Sequence, residues 1–289
     1  MAAPALAGGV AAAAGRKTTM KGRQLDLFEN PLVRARRLKA ERQYRQAELV
    51  LRGLVEREPE NVSARASLAD LYYRSGRLRQ ALALAAEILR RDPDEPRALV
   101  VTGNVLRKRG KPADAAENFR LALQVAETDY LWLRLAACQL DLKQPRQALE
   151  SLQRAEQLAA PSLEMLRLRL RAARQLGDEG IQPRLLDEAA QLLPAEPSRF
   201  ASGLVPLLAE LPPRRAAFLS ERLRADFNQG GNADLLLFEA DNLLRARQPQ
   251  QAAQRLRLLA GRELTPEQKS RLEKLLKRIN RNHASSPSG

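Results

Sequence analysis

Four segments of this chain superpose at a fixed interval. In YRQAELVLRGLVEREPEN, LRQALALAAEILRRDPDE, PADAAENFRLALQVAETD and PRQALESLQRAEQLAAP a small residue recurs at Ala47, Ala81, Ala115 and Ala148, at spacings of 34, 34 and 33 residues. Four residues beyond each alanine stand Leu51, Ala85, Phe119 and Leu152, and three further on stand Leu54, Ile88, Ala122 and Ala155. Steps of four and three keep all of these on one face of a helix. A single unit of this length cannot bury such a face alone, so the period predicts copies that stack on one another.

Each unit also contains a preceding helix. Leu68, Ala69 and Tyr72 lead to Gly76 in the second, and Leu99, Thr102, Gly103 and Leu106 lead to Gly110 in the third. Glycine at the turn allows a tight reversal, and a small residue inside the first helix lets its neighbour pack close. Pro59 and Pro93 close their repeats where a further helical turn is unwanted. Aromatic residues supply only 4% of the chain, so a core drawn from 44% hydrophobic content must be built mainly from Leu and Ala. Good helix formers dominate and β-branched residues are isolated, which leaves no strand candidate. The expected fold class is all-α, an α-solenoid of stacked antiparallel helix hairpins.

Residue types exclude several chemistries. With one cysteine, Cys138, and one histidine, His283, there is no disulfide framework and no Cys/His metal cluster, so no metal and no cofactor is expected. Cys138 lies in an apolar helical stretch and reads as a buried structural thiol. His283 stands in a polar tail that ends Ser-Ser-Pro-Ser-Gly, where a catalytic pair is not expected. GGVAAAAGRKTT near the start is not a phosphate-binding loop: five residues separate Gly9 from Gly15, Arg16 interrupts the Gly-Lys pair, and no strand precedes. No basic residue precedes the alanine run, as a secretory signal requires, and no apolar segment is long enough to span a bilayer. These readings point to a cytoplasmic protein that is not an enzyme and has no membrane partner. Met20 offers a second start site after the leader.

The 34-residue period, with its recurring Leu, Gly, aromatic, Ala, aromatic and Pro places, resembles the tetratricopeptide repeat family and implies its superhelix. The resemblance covers residues 28–161, with Trp132 near the place of the family's opening Trp, and loosens afterwards. It divides the chain into an Ala-rich, basic leader expected to be disordered (1–23), an arm (24–30), four repeats (31–161), diverged helical repeats (162–261), a C-terminal capping helix (262–282) and a disordered tail (283–289). The cap opens on a capping box, with Thr265 at the N-cap, Pro266 next and Gln268 at the third helical place.

The resemblance also implies where a partner binds. In the family the first helix of each hairpin lines a concave groove at its second, fifth, ninth, twelfth and thirteenth places. Carried onto this sequence, those places give Arg36 and Lys39; then Asp70, Tyr73 and Arg74; then Arg97, Asn104, Arg107 and Lys108; and in the fourth repeat Tyr130, Leu133 and Leu140. The implied groove is cationic at its N-terminal end and apolar further on, and fits a protein or peptide that is acidic at that end. Asn104 with Arg74 and Lys108 is similar to part of the family's clamp for a peptide carboxylate.

Net charge is +15, and the excess is concentrated at the ends: residues 1–45 hold ten Lys or Arg against three Asp or Glu, and residues 262–289 hold seven against three. Without aromatic stacking platforms, direct nucleic-acid binding is expected only as a nonspecific attraction. One short segment points to a particular partner. Gln24, Leu25, Asp26, Leu27 and Phe28 resemble the bacterial sliding-clamp-binding peptide, in which Leu27 and Phe28 would be the apolar anchors and Gln24 a hydrogen-bonding group. Asn30 and Pro31 are a natural N-cap and first helical residue, so this segment ends just ahead of the first helix. Two functions remain open. One is an adaptor, bacterial and tethered to the replication clamp through residues 24–28; the other is a cytosolic chaperone or assembly factor for acidic peptide tails, in which Leu27 and Phe28 merely cover the first hairpin.

Overall fold

The computed structural model describes residues 29–284. Among these are fifteen α-helices and no strand. In order they are α1 Pro31–Ala40, α2 Tyr44–Arg57, α3 Val62–Arg74, α4 Leu78–Arg91, α5 Pro96–Lys108, α6 Pro112–Val125, α7 Asp129–Asp141, α8 Pro145–Leu158, α9 Leu163–Leu176, α10 Gln182–Gln191, α11 Pro197–Leu208, α12 Pro213–Asp226, α13 Ala233–Arg245, α14 Pro249–Arg257 and α15 Pro266–Ala284. They form seven consecutive helical hairpins followed by α15, and divide into two compact units, Met1–Ala126 with α1–α6 and Glu127–Gly289 with α7–α15. None of the helices is long and apolar enough to cross a membrane.

The helices start and stop where side-chain chemistry allows. Several first helices carry a polar N-cap whose side chain accepts a backbone N–H: Asn30 from Leu32 at 2.9 Å, Asn61 from Ala64 at 2.9 Å, Ser162 from Met165 at 3.2 Å and Asn232 from Leu235 at 3.3 Å. The second helices α2, α4, α6 and α8 have no such cap. Their entry is set by a left-handed residue in the preceding turn: Arg42 (φ 59°), Gly76 (φ 82°), Gly110 (φ 76°) and Lys143 (φ 61°). After each, the next backbone N–H reaches back to a carbonyl of the first helix, as from Arg77 to Tyr72 at 2.8 Å and from Lys111 to Leu106 at 3.0 Å. The capping box of α15 is complete, with Thr265 N–H donating to Gln268 Oε1 at 3.0 Å and Gln268 N–H to Thr265 Oγ1 at 3.2 Å.

In the first unit each core cluster draws on one hairpin and the first helix of the next. Ala35, Leu38, Ala47 and Leu51 pack with Leu68 and Leu71 of α3; Ala66, Ala69, Ala81, Ala85 and Ile88 pack with Ala98, Val101 and Val105 of α5. Ala47, Ala81 and Ala115 are fully buried. Gly103 on α5 lies under the ring of Phe119 on α6, so close that a Cβ there would stand 2.9 Å from two ring carbons.

In the second unit Leu133, Ala136, Ala137, Leu140, Ala148, Leu152 and Ala155 pack with Met165, Leu168 and Ala172 of α9. Cys138 is a buried cysteine. Further clusters join α9 to α13 around Leu170, Leu186, Phe200, Leu204 and Leu223, and join α13, α14 and α15 around Leu236, Leu237, Leu256, Leu275 and Ile279. One charged group is embedded here. Glu239 on α13 is 0% exposed and accepts from Arg224 Nε (3.0 Å) and Ser220 Oγ (3.1 Å) of α12, with Arg255 Nε of α14 at 3.5 Å. Burial pushes the Glu239 carboxyl above the usual carboxylate range, against the pull of Arg224.

The turn residues give a direct test. A side chain at positive φ carries backbone strain that glycine avoids, so Arg42→Gly and Lys143→Gly should each stabilise the protein by about 1 kcal/mol in urea unfolding. Gly76→Ala should destabilise it by a similar amount, although a Cβ there meets nothing within 4 Å.

Candidate functional site

Counting back from the left-handed turn residue places equivalent side chains on successive first helices. Three and six residues before the turn stand Lys39 and Arg36 on α1, Tyr73 and Asp70 on α3, and Arg107 and Asn104 on α5. In the first unit these side chains link neighbouring helices. Lys39 Nζ donates to Asp70 Oδ2 at 2.7 Å, and Arg74 Nε lies 3.0 Å from both oxygens of the same carboxylate. Lys108 Nζ stands 5.7 Å from the centre of the Tyr73 ring, a cation–π contact from α5 to α3. Arg36, Arg97 and Lys108 are exposed, and Lys39, Asp70, Tyr73 and Arg107 are half-buried. The first helices of this unit therefore carry six cations, of which Lys39 and Arg74 meet Asp70 and Lys108 meets the Tyr73 ring.

The structure brings together Arg36, Lys39, Asp70, Tyr73, Arg74, Arg97, Arg107 and Lys108 on the first helices of one unit. It does not leave all the expected groove residues accessible. Asn104 is 7% exposed and belongs to the interior of its hairpin, so it is not presented beside Arg74 and Lys108 as a peptide clamp requires. Leu133 and Leu140 are 5% and 0% exposed; they sit in the core where Leu168 and Ala172 of α9 cover them. The physical reason is the side chain itself. At equivalent places the long charged side chains of Lys39 and Arg107 stay half-buried, Lys39 ending on Asp70, whereas a leucine is drawn fully under the next first helix. Tyr130, on α7, is 40% exposed, with the Arg134 guanidinium 4.8 Å from its ring centre. Gln24, Leu25, Asp26, Leu27 and Phe28 lie outside the described residues.

A set of arginines in the second unit was not anticipated. Counting back from Gly177 in the same way gives Arg174, Arg171 and then Arg167 on α9, at groove-facing places. The register that located Arg107 finds them once it is counted from Gly177, the turn glycine of the hairpin at 162–194. They are tied down: Arg171 Nη2 to Asp141 Oδ1 at 2.6 Å, Arg167 Nη2 to Glu210 Oε1 at 2.9 Å, and Arg174 Nη1 to the Glu210 carbonyl at 2.6 Å. Arg134 reaches Glu164 at 2.5 Å. On the first-helix face of this unit Arg134, Arg167 and Arg171 meet carboxylates of the same unit, and Arg174 a backbone carbonyl. Glu48 and Glu239, the carboxylates with displaced pKa, lie off both faces; Glu48 is held below its usual range by the hydrogen-bonded Arg77 guanidinium. No group of three metal-ligating side chains occurs among the described residues.

The fold is a set of stacked antiparallel helical hairpins of the tetratricopeptide type. The tetratricopeptide repeat family model matches residues 38–100, from the end of α1 into α5. Similar solved structures are a chain of the APC/C Cut9–Hcn1 hetero-tetramer (17% identity, TM-score 0.59, over 90% of this chain and 51% of that one) and a tetratricopeptide repeat protein from Parabacteroides merdae (15%, 0.55, 86% and 97%). A third is a thermophilic tetratricopeptide repeat protein from Thermus thermophilus (20%, 0.53, 61% and 98%). This chain thus spans about half of the first of these. The comparison with curated protein sequences found no match.

The reassignment of Leu140 is testable. As a core residue, its replacement by Ala should cost about 2–5 kcal/mol in urea unfolding. A cost within about 0.5 kcal/mol would return it to an open face.

Proposed function

We propose that the protein is a non-enzymatic adaptor of the cytoplasm that holds an acidic peptide against the first-helix face of its first unit. The observation that carries this reading is the arrangement about Asp70. One carboxylate there already draws Lys39 and Arg74 to a single point, while Arg36, Arg97, Arg107 and Lys108 extend the positive field on either side. A peptide carboxylate meets the same kind of donors, and the Tyr73 ring offers its aliphatic stem a surface. The second unit supports the contrast, because Arg134, Arg167 and Arg171 on its first helices are bonded to its own acids.

An Asp/Glu-rich peptide carrying a fluorophore tests this by anisotropy. Arg74→Glu with Arg107→Glu and Lys108→Glu should weaken binding at least tenfold and leave the helical circular dichroism intact. Asp70→Asn removes the competing carboxylate and should tighten it. Binding that ignores both changes would sink the reading.

The adaptor's second contact, in this proposal, is the replication sliding clamp of bacteria, reached through Gln24, Leu25, Asp26, Leu27 and Phe28. Support comes from the sequence match and from the Asn30 cap, which starts α1 at Pro31. A synthetic peptide of residues 20–32 should bind a bacterial clamp in the micromolar range, about −8 kcal/mol. Removing both anchors with Leu27→Ala and Phe28→Ala should abolish it, at about 2 kcal/mol or more for each. If those substitutions lower heat stability and leave clamp binding unchanged, the segment covers the first hairpin. A chaperone or assembly factor for acidic tails would then be the better description.

A further inference from the structure

We propose that α15, with the adjoining end of α13, is a binding surface for the phosphate backbone of double-stranded nucleic acid. The inference is independent of the first-unit face. Leu275 and Ile279 of α15 are buried against Leu236, Leu237, Ala240, Leu243 and Leu244 of α13, which fixes how α15 is rotated. With that face inward, steps of three and four residues place Arg271, Lys274, Arg278 and Arg281 in one stripe along its side, with Lys277 next to it.

Two carboxylates of α13 hold part of this stripe in place. Arg278 Nη1 lies 2.5 Å from Asp241 Oδ1, Arg245 Nη2 lies 2.8 Å from the other oxygen of Asp241, and Arg271 Nη1 lies 4.0 Å from Asp234. Lys274 and Lys277 are exposed and have no ion-pair partner among the described residues. Arg245, Arg271, Lys274 and Arg278 therefore cluster about Asp234 and Asp241, with Lys277 and Arg281 further along the helix. Arg271, Lys274, Leu275 and Arg278 line a cleft of about 230 Å³ beside Asp241.

The form of this surface selects the ligand. From Arg271 to Arg281 the stripe is about 15 Å long at 1.5 Å per residue, the axial rise of about four base pairs of duplex. A regular row of cations suits a regular row of phosphates, which guanidinium groups meet with two parallel hydrogen bonds. Residues 262–281 contain no aromatic side chain, so there is nothing on which the bases of a single strand could stack. Leu276, the exposed apolar residue of α15, lies on the opposite side of the helix from the stripe, so the basic side has nothing to insert into a bilayer. Contacts confined to phosphates are independent of base sequence.

The experiment uses the full chain and a fluorescent 25-base-pair DNA duplex of arbitrary sequence, titrated by anisotropy between 50 and 200 mM KCl. Binding should weaken steeply with salt, with a logarithmic slope of about −3 to −5 for roughly four neutralised phosphates. Lys274→Glu with Lys277→Glu should lower affinity at least tenfold at 50 mM KCl and reduce the slope by about two. Arg90→Glu with Arg120→Glu, an equal change of net charge in the first unit, should leave it within twofold. If the glutamate pair reduces helicity, Lys274→Gln with Lys277→Gln serves instead, with the same loss of slope expected. Absence of duplex binding, or equal losses from the two charge-matched variants, overturns the proposal. So does tighter binding to vesicles of phosphatidylcholine with one quarter phosphatidylserine than to the duplex, or displacement of the duplex by stoichiometric poly-glutamate; these would point to a membrane surface or to an acidic protein.

Discussion

How closely two helices can approach decides the rest of this structure. Ala47, Ala81, Ala115 and Ala148 have no exposed surface, and Gly103 lets Phe119 rest against the backbone of α5. Any larger side chain at these points would hold the two helices of a hairpin apart, and the interior is packed too densely to absorb the change. Close approach within a hairpin lets Leu51, Ile88 and Leu152 reach the first helix of the next one. The same contact then recurs one period later.

Stacking of this kind brings charged residues of neighbouring first helices within reach of one another, and the two units use that proximity differently. In the second, Arg134, Arg167, Arg171 and Arg174 meet Glu164, Glu210 and Asp141. In the first, Lys39 and Arg74 share the carboxylate of Asp70, and Arg36, Arg97, Arg107 and Lys108 stand on the same first helices. Surface ion pairs contribute little to stability one at a time. Their larger effect here is on the field outside, which is small where acids equal cations and attracts an anion where cations outnumber acids.

The period was legible because it rests on small residues that nothing else can replace, and the turn glycines marked its register. Leu133 and Leu140 were misplaced for a related reason. Place in a repeat fixes direction, but whether a side chain ends in water or under the next helix depends on its own polarity and on the neighbour that covers it. Asn104 shows the converse, since a polar side chain at a groove place is buried here. The arginines of α9 obey the same count as Arg107, and their turn glycine, Gly177, follows Lys143 by the same 34 residues that separate Gly76 from Gly110; what the sequence does not mark there is the run of packing alanines that drew attention to the first four repeats. Glu239 could not have been found at all, because its partners Ser220, Arg224 and Arg255 come from two other helices and no spacing in the sequence joins them.

That buried carboxylate changes how the C-terminal end of the chain comes apart. In a stack held by nearest-neighbour contacts the terminal elements fray first, one hairpin at a time. Glu239 ties α13 to α12 through Arg224 and Ser220, and to α14 through Arg255, which also meets Glu221 at 2.5 Å. Peeling α14 away strips one guanidinium from the site. Peeling α13 would strand Arg224, itself buried, without its acid. Loss of one helix thus removes a partner from a group buried in the next, which couples α12, α13 and α14 more tightly than nearest-neighbour apolar contact alone.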